Sequence, residues 1–261
     1  EIFDDKMIGC TAIILTGLSY RHERFLSYGL NLLEKIINSS FDSEYFPKTR
    51  NIRQLIFYLK YFVLIRELLK ESLNDIPDYL NEIIYYTGKS YDFFWSSIKE
   101  SLLFNGNQES DLSDFDKYLN LHKYKFNNND NELGGYSILK NKNITVAMDI
   151  GSTPDKRYSE NYQSGPLSFE AIYKGNKIIC NSGYYQNHNH KLNKISKSSV
   201  AHSTLILNDK SISTFKKKNG KNILVSGLKS FDKNIVFEKN FWSIKSSHNG
   251  YLKEFGTIHE R

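Results

Sequence analysis

Two cysteines and four prolines in 261 residues leave this chain without a disulfide framework and with few rigid turns. Cys10 and Cys180 lie in the apolar runs IGCTAIIL and KIICNSG, and both are expected to be small buried hydrophobes. Long hydrophobic runs are missing as well. No stretch approaches the roughly 18 apolar residues that cross a bilayer. Runs such as FYLKYFVLIREL, residues 57–68, are broken by charge. Also absent are a phosphate-cradling GxxxxGK[ST], a GxGxxG after a strand, CxxC and HExxH, so the common nucleotide, redox and zinc-protease sites are excluded. The chain opens at Glu1 without a signal peptide and ends at FGTIHER inside an apparent strand, as an internal piece of a longer protein would.

What is abundant is aromatic: 18 Tyr, 17 Phe and 2 Trp make up 14% of the residues. Hydrophobic residues at 39% and charged residues at 25% describe an ordinary globular protein, not a disordered or fibrous one. The 35 Lys and Arg against 29 Asp and Glu leave a net charge of +6. That balance suits a polyanionic partner, and a lysine-rich composition produces it equally well.

The pattern changes character halfway. Leu26, Leu30, Leu33 and Ile37 form one helical stripe, and Ile52, Leu55, Leu59, Phe62 and Leu69 form another. A third helix is expected over residues 78–95 after Pro77, and a shorter one over 112–119. Residues 7–20 are apolar all round, which predicts a helix buried on several sides. After the polar stretch at 127–131 the period becomes two. Hairpins are expected at 136–148 around Asn141-Lys142-Asn143 and at 167–180 around Lys174-Gly175-Asn176. Further strands are expected at 203–207, 222–225, 235–238, 242–246 and 251–258. The fold class is therefore α+β and multidomain: helices over residues 1–122, then an antiparallel β-sandwich over 123–261, each incomplete.

Two histidine segments carry the chemistry. His188 and His190 on the loop Tyr184-Tyr185-Gln186-Asn187-His188-Asn189-His190 have the spacing to share a metal, or are simply solvated. His202 in Val200-Ala201-His202-Ser203-Thr204 opens a strand, either as a core histidine or as one reaching a cleft. Lys216-Lys217-Lys218 before Asn219-Gly220 is expected to be a solvated hairpin tip. No helix-turn-helix, zinc finger or RNA-binding signature makes it a nucleic-acid patch, so no nucleic-acid partner is expected.

Several segments together resemble the heparinase II/III-like family of polysaccharide lyases. They are Leu103-Phe104-Asn105-Gly106, Gly165-Pro166-Leu167-Ser168-Phe169-Glu170, Ile178-Ile179-Cys180-Asn181-Ser182-Gly183, Ala201-His202-Ser203-Thr204-Leu205-Ile206-Leu207-Asn208-Asp209, Ser247-His248-Asn249-Gly250-Tyr251 and Phe255-Gly256-Thr257-Ile258-His259-Glu260-Arg261. The resemblance implies the end of an α/α toroid followed by a β-sandwich, and β-elimination on a uronate-containing glycan. A non-catalytic glycan-binding protein on the same scaffold is the alternative. Bacterial origin and a periplasmic or cell-envelope location are implied too. His202 matches the family's sandwich histidine, which binds a structural zinc in some members. Asn161, Gln163 and Gly165 stand where a His-x-His-x-Asp is frequent, and Asn181 stands where the next strand has a metal-binding Asp. No zinc or other cofactor is therefore expected, since amides are poor zinc ligands. Thr49-Arg50-Asn51 matches an Arg-containing segment, and Arg53 or a neighbour stands where many lyases place a catalytic Tyr. The resulting expectation is His202 and Tyr185 as catalytic groups, with Arg50, Gln163, Asn181 and Tyr184 binding substrate.

Overall fold

The computed structural model describes residues 2–96, 98–218, 220–239 and 241–261. Asn219 of the expected hairpin tip lies outside them. The chain forms two compact units. One comprises Glu1–Pro47, Arg53–Asp92 and Leu112–Asn128; the other comprises Lys48–Ile52, Phe93–Asp111 and Asn129–Arg261.

The first unit is helical: α1 (Ile2–Ser19), α2 (Glu23–Ser40), α3 (Ile52–Glu71, whose first residue belongs to the second unit), α4 (Asp78–Tyr91) and α5 (Ser113–Leu121). The α3 stripe is fully realised, with Leu55, Leu59, Phe62 and Leu69 all buried. Pro77 caps α4 from an extended conformation, as its fixed φ and missing N–H favour. Helices α1 and α2 pack closely at two glycines. A Cβ on Gly17 would meet the Leu26 backbone at 2.6 Å, and one on Gly29 would meet Ile14 at 2.6 Å. The Cys10 thiol, buried here, faces the Gly29 carbonyl at 3.3 Å, and burial pushes it up to about 11. The expectation that residues 7–20 are buried on several sides does not hold. Met7, Cys10 and Ile14 are buried, whereas Ile8 and Leu15 stay 47% and 44% exposed.

In the second unit a five-stranded antiparallel sheet runs in the order β1-β2-β3-β4-β5. Its strands are β1 (Glu132–Leu133), β2 (Tyr136–Lys140), β3 (Ile144–Asp149), β4 (Phe169–Tyr173) and β5 (Asn176–Ile179). Both predicted hairpins form. Asn141 closes the first by accepting the N–H groups of Asn143 and Ile144 on its side-chain oxygen. Lys174 and Gly175, both at positive φ, close the second as a type I′ turn must. A two-stranded sheet pairs β6 (Thr214–Lys218) with β7 (Lys221–Ser226). A three-stranded sheet joins β8 (Ser230–Phe237), β9 (Trp242–His248) and β10 (His259–Glu260). Met148, Ile150 and Leu167 form a core against which Phe169, Ile235 and Ile244 pack, so the larger two sheets bury one face each as a sandwich does.

Three expectations fail here. Residues 203–207 form no strand beyond an isolated bridge of Leu207 to Lys210, because side chains capture backbone donors at both ends of the segment. Ser203 N–H goes to Asn181 Oδ1 at 3.0 Å, and Leu207 N–H goes to the Tyr251 hydroxyl at 3.3 Å. Residues 251–258 contain the helical turn α7 (Leu252–Phe255), stopped by Gly256 at φ +67°. Cys180 is exposed, not buried, because it follows the outermost strand of its sheet.

Candidate functional site

The site is built wholly from the second unit, by three segments far apart in sequence: the turn at Arg50, the loop at 103–107 and the strands with their connections. Arg50 sits at φ +55° and turns its guanidinium inward. Nε donates to Gly134 O (3.1 Å), Nη1 to Ser152 O (3.0 Å), and Nη2 to Gly135 O (3.0 Å) and Asp149 Oδ1 (2.7 Å). Burial opposes its charge, but Asp149 outweighs burial and holds the group protonated. Gly151 must be glycine, since a Cβ there would overlap the guanidinium. The other Asp149 oxygen accepts from Asn105 Nδ2 (2.9 Å), which also meets the Tyr136 hydroxyl (2.6 Å). Tyr136 in turn donates to Arg50 O (2.6 Å), which closes a ring of four buried groups.

Beside this ring lies a second knot centred on Ser196, the last residue of α6 (Lys191–Ser196). Its carbonyl accepts from Gln163 Nε2 (2.6 Å) and from His202 Nε2 (3.2 Å). Its hydroxyl accepts the Tyr185 N–H (3.2 Å). A carbonyl only accepts, so the His202 imidazole carries its proton on Nε2 and leaves Nδ1 bare. Its ring lies against Gly165, where a Cβ would come within 2.8 Å of it. Burial lowers the imidazole to about 4 against the opposing pull of Ser196 O and Asp149, so it is neutral at pH 7.

Three of the six expected site residues therefore converge on one residue that sequence reasoning passed over. Gln163 is fully engaged: Oε1 accepts Gly106 N–H (2.9 Å), and Nε2 also donates to Gly183 O (2.9 Å). Tyr185 presents a side chain 40% exposed, its ring 5.0 Å from that of His190. His190 caps α6 by accepting Leu192 N–H on Nδ1 (3.2 Å), which leaves Nε2 as a donor. Asn181 lies apart from this knot. Its N–H meets Glu170 Oε1 (3.0 Å), and Oδ1 holds Ser203. Tyr184 is buried, with its N–H on Asn107 O (3.0 Å) and Lys197 Nζ 5.9 Å from its ring centre. Arg50 belongs to the Asp149 ring instead. Asn105 lay in the family-like segment Leu103-Phe104-Asn105-Gly106 without being singled out, and Asp149, Tyr136 and Ser196 carried no signal of their own; the glycines at 135 and 151, where a Cβ would meet the Arg50 guanidinium, were the only local hint of the ring.

The zinc that the family's His-x-His-x-Asp would hold finds no matching donors. Gln163 spends its NH₂ on Gly183 O and Ser196 O and its oxygen on Gly106 N–H, so of this set only the bare Nδ1 of His202 keeps a nitrogen lone pair, one ligand where a zinc needs three or four. His188 and His190 diverge: His188 Nε2 lies 3.3 Å from Glu160, and His190 turns to the helix. Among the described residues no three His, Cys, Asp or Glu side chains are grouped to hold a metal.

Comparison with known proteins agrees with this architecture. The family described as heparinase II/III-like, C-terminal, matches residues 127–261. Among solved structures, a heparinase III resembles the chain with a TM-score of 0.76 at 13% identity, over 98% of this chain and 42% of its own. The heparan sulfate lyase HepC of Pedobacter heparinus gives 0.71 at 13%, over the same shares. A further heparinase III gives 0.67 at 15%, over 93% of this chain and 44% of its own. The chain thus spans less than half the length of these structures, and at such identities the likeness shows the fold. No curated protein matches. With more than half of its residues matched by the family, the chain belongs to the heparinase II/III-like family.

Proposed function

We propose that this chain is part of a polysaccharide lyase-like protein that cleaves an anionic, uronate-containing glycan by β-elimination, with the helices forming the end of an α/α toroid. The observation that carries the reading is Tyr185. It is an exposed phenol on a loop whose backbone is pinned to Ser196 and Asn193, beside a histidine with a free N–H donor. The reaction removes the proton at C5, forms a C4–C5 double bond and expels the glycosidic oxygen from C4. One phenol can serve both proton transfers: as phenolate it takes the C5 proton, and as phenol it returns that proton to the leaving oxygen. His190 Nε2–H would stabilise the phenolate. His202, buried and neutral, would act by holding Ser196 and through it the Tyr185 loop. Arg50 and Gln163 spend their donors inside the fold. Neutralisation of the uronate carboxylate would therefore fall to donors beside Tyr185, such as Asn187 and Lys191, with Asn181 and Tyr184 supporting the loop from beneath.

The test is incubation of the full-length protein with heparan sulfate, hyaluronan and alginate while the far-UV absorbance of the unsaturated product is followed. Tyr185→Phe is expected to lower the rate by at least about 100-fold with unchanged folding. Absence of product on every glycan would overturn the reading. Glycan binding without cleavage, on the same scaffold, is the second reading. It is favoured by the full engagement of Gln163 and Arg50 within the protein.

A further inference from the structure

Between Asn181 and Ser230 the sequence holds nine lysines and one acidic residue, Asp209. The fold gathers part of this charge on one edge. Asn189 Oδ1 accepts from Lys217 Nζ (3.5 Å), and Asn193 Oδ1 accepts from Asn222 Nδ2 (3.0 Å), so the β6–β7 hairpin is tied to α6 and to the loop that carries Tyr185 and His190. Lys191 and Lys194 on α6 and Lys216, Lys217 and Lys218 on the hairpin are all exposed.

Several lysines elsewhere in the same unit have acidic partners. Lys177 pairs with Glu109, Lys233 with Glu132 and Lys245 with Glu260. None of the five edge lysines pairs with an acidic side chain among the described residues. Glu160, which does reach this edge, is already taken by Lys221 (2.7 Å) and His188 (3.3 Å). Lys191 and Lys194 on the helix that follows the Tyr185 loop, and Lys217, which reaches that loop at Asn189, raise the local potential and attract anions; Lys216 and Lys218 project to the other face of their strand. The amides of Asn187 and Asn189 between them suit hydroxyl-rich partners, and the Tyr185 ring beside His190 offers a face to a sugar.

We infer that the edge formed by α6 and the β6–β7 hairpin is an anion subsite that holds the charged groups of a glycan chain as it passes Tyr185. The inference rests on the glycan reading above and assigns it a specificity element. Lysines are point charges on flexible stems, so they recognise sulfate or carboxylate groups spaced along a polymer without fixing one sugar geometry.

The experiment compares the full-length protein with its Lys191→Gln, Lys194→Gln, Lys217→Gln triple variant. Binding is measured to heparan sulfate, chemically desulfated heparan sulfate, neutral dextran and single-stranded DNA across a salt series. The expected result is at least a tenfold loss of heparan sulfate affinity at low salt. The slope of log affinity against log salt should become shallower by about two to three, one unit or slightly less for each lost cation. Retention of binding after desulfation assigns the subsite to carboxylates, and loss assigns it to sulfates. Unchanged heparan sulfate affinity in the triple variant would overturn the inference. So would DNA binding as tight as glycan binding and lost in parallel, or a parent that binds none of the anionic polymers. The lyase reading fails separately, by absence of unsaturated product from a protein that still binds glycan through these lysines.

Discussion

The two units solve the same problem, satisfying buried polar groups, in opposite ways. In the helical unit few polar side chains are buried, and most bond to their own helix: Thr11 to Met7 O, Thr87 to Ile83 O and Ser90 to Tyr86 O, each four residues back. Exceptions are Ser40, which accepts from the Tyr58 hydroxyl (3.2 Å), and Glu67, held by Tyr124 (2.6 Å), His122 (3.0 Å) and Arg66 (2.9 Å). In the sheet unit buried polar side chains are many, and their partners are distant. Arg50 reaches Asp149 across 99 residues, Gln163 reaches Ser196 across 33, and His248 meets His259 at 3.1 Å. Local satisfaction lets a helix tolerate substitution one turn at a time. Distant satisfaction makes every member of a network a condition for the rest.

The largest expected effect falls on the Arg50 ring. Asp149→Ala leaves a buried guanidinium without its counter-charge and is expected to cost about 3–5 kcal/mol in denaturant unfolding of the sheet unit. A loss below about 1 kcal/mol would break the comparison. Next comes Glu170, buried with Oε1 accepting the N–H groups of Leu103 (3.0 Å) and Asn181 (3.0 Å). Burial, working against these bonds and Lys177, pushes its carboxyl up from 4.5 to about 7. An acid whose folded value lies above its unfolded one binds its proton more tightly when folded. Its contribution is complete below about 4.5 and is lost as pH rises through about 7, a change of about 3 kcal/mol. Chemical unfolding at pH 4.5 and pH 8 should show that fall in the parent relative to Glu170→Gln; equal slopes would refute it. The smallest effect belongs to the helical unit. Thr87→Val removes a hydroxyl bonded only to its own helix and is expected to change stability by less than about 1 kcal/mol. A larger loss would show that the helices also depend on a polar network.

Legibility followed the same division. The α3 stripe at Ile52, Leu55, Leu59, Phe62 and Leu69 was plain in the sequence because a helix brings together residues three and four apart. The 141–143 and 174–176 turns were plain because asparagine and glycine impose their geometry locally. Residues 203–207 misled for the converse reason: the short β-branched and apolar run Thr204-Leu205-Ile206-Leu207 reads as a strand, but Asn181 and Tyr251, 22 and 44 residues away, take the backbone donors of Ser203 and Leu207. Of the site, Tyr185, Gln163 and His202 were picked out individually. That they share Ser196 was invisible, since nothing local to Ser196 distinguishes it from other serines.

By itself, then, the amino-acid order determined the switch from a 3.6-residue to a two-residue period, the hairpins and the family, all of which rest on short-range patterns. Only tertiary structure decided that Arg50 would be enclosed by Asp149, that amide and imidazole N–H groups would share one carbonyl, and that Tyr185 would remain in solvent. Those outcomes depend on which distant donors and acceptors burial brings together, because leaving a charged or strongly polar group unpaired in the interior is costly.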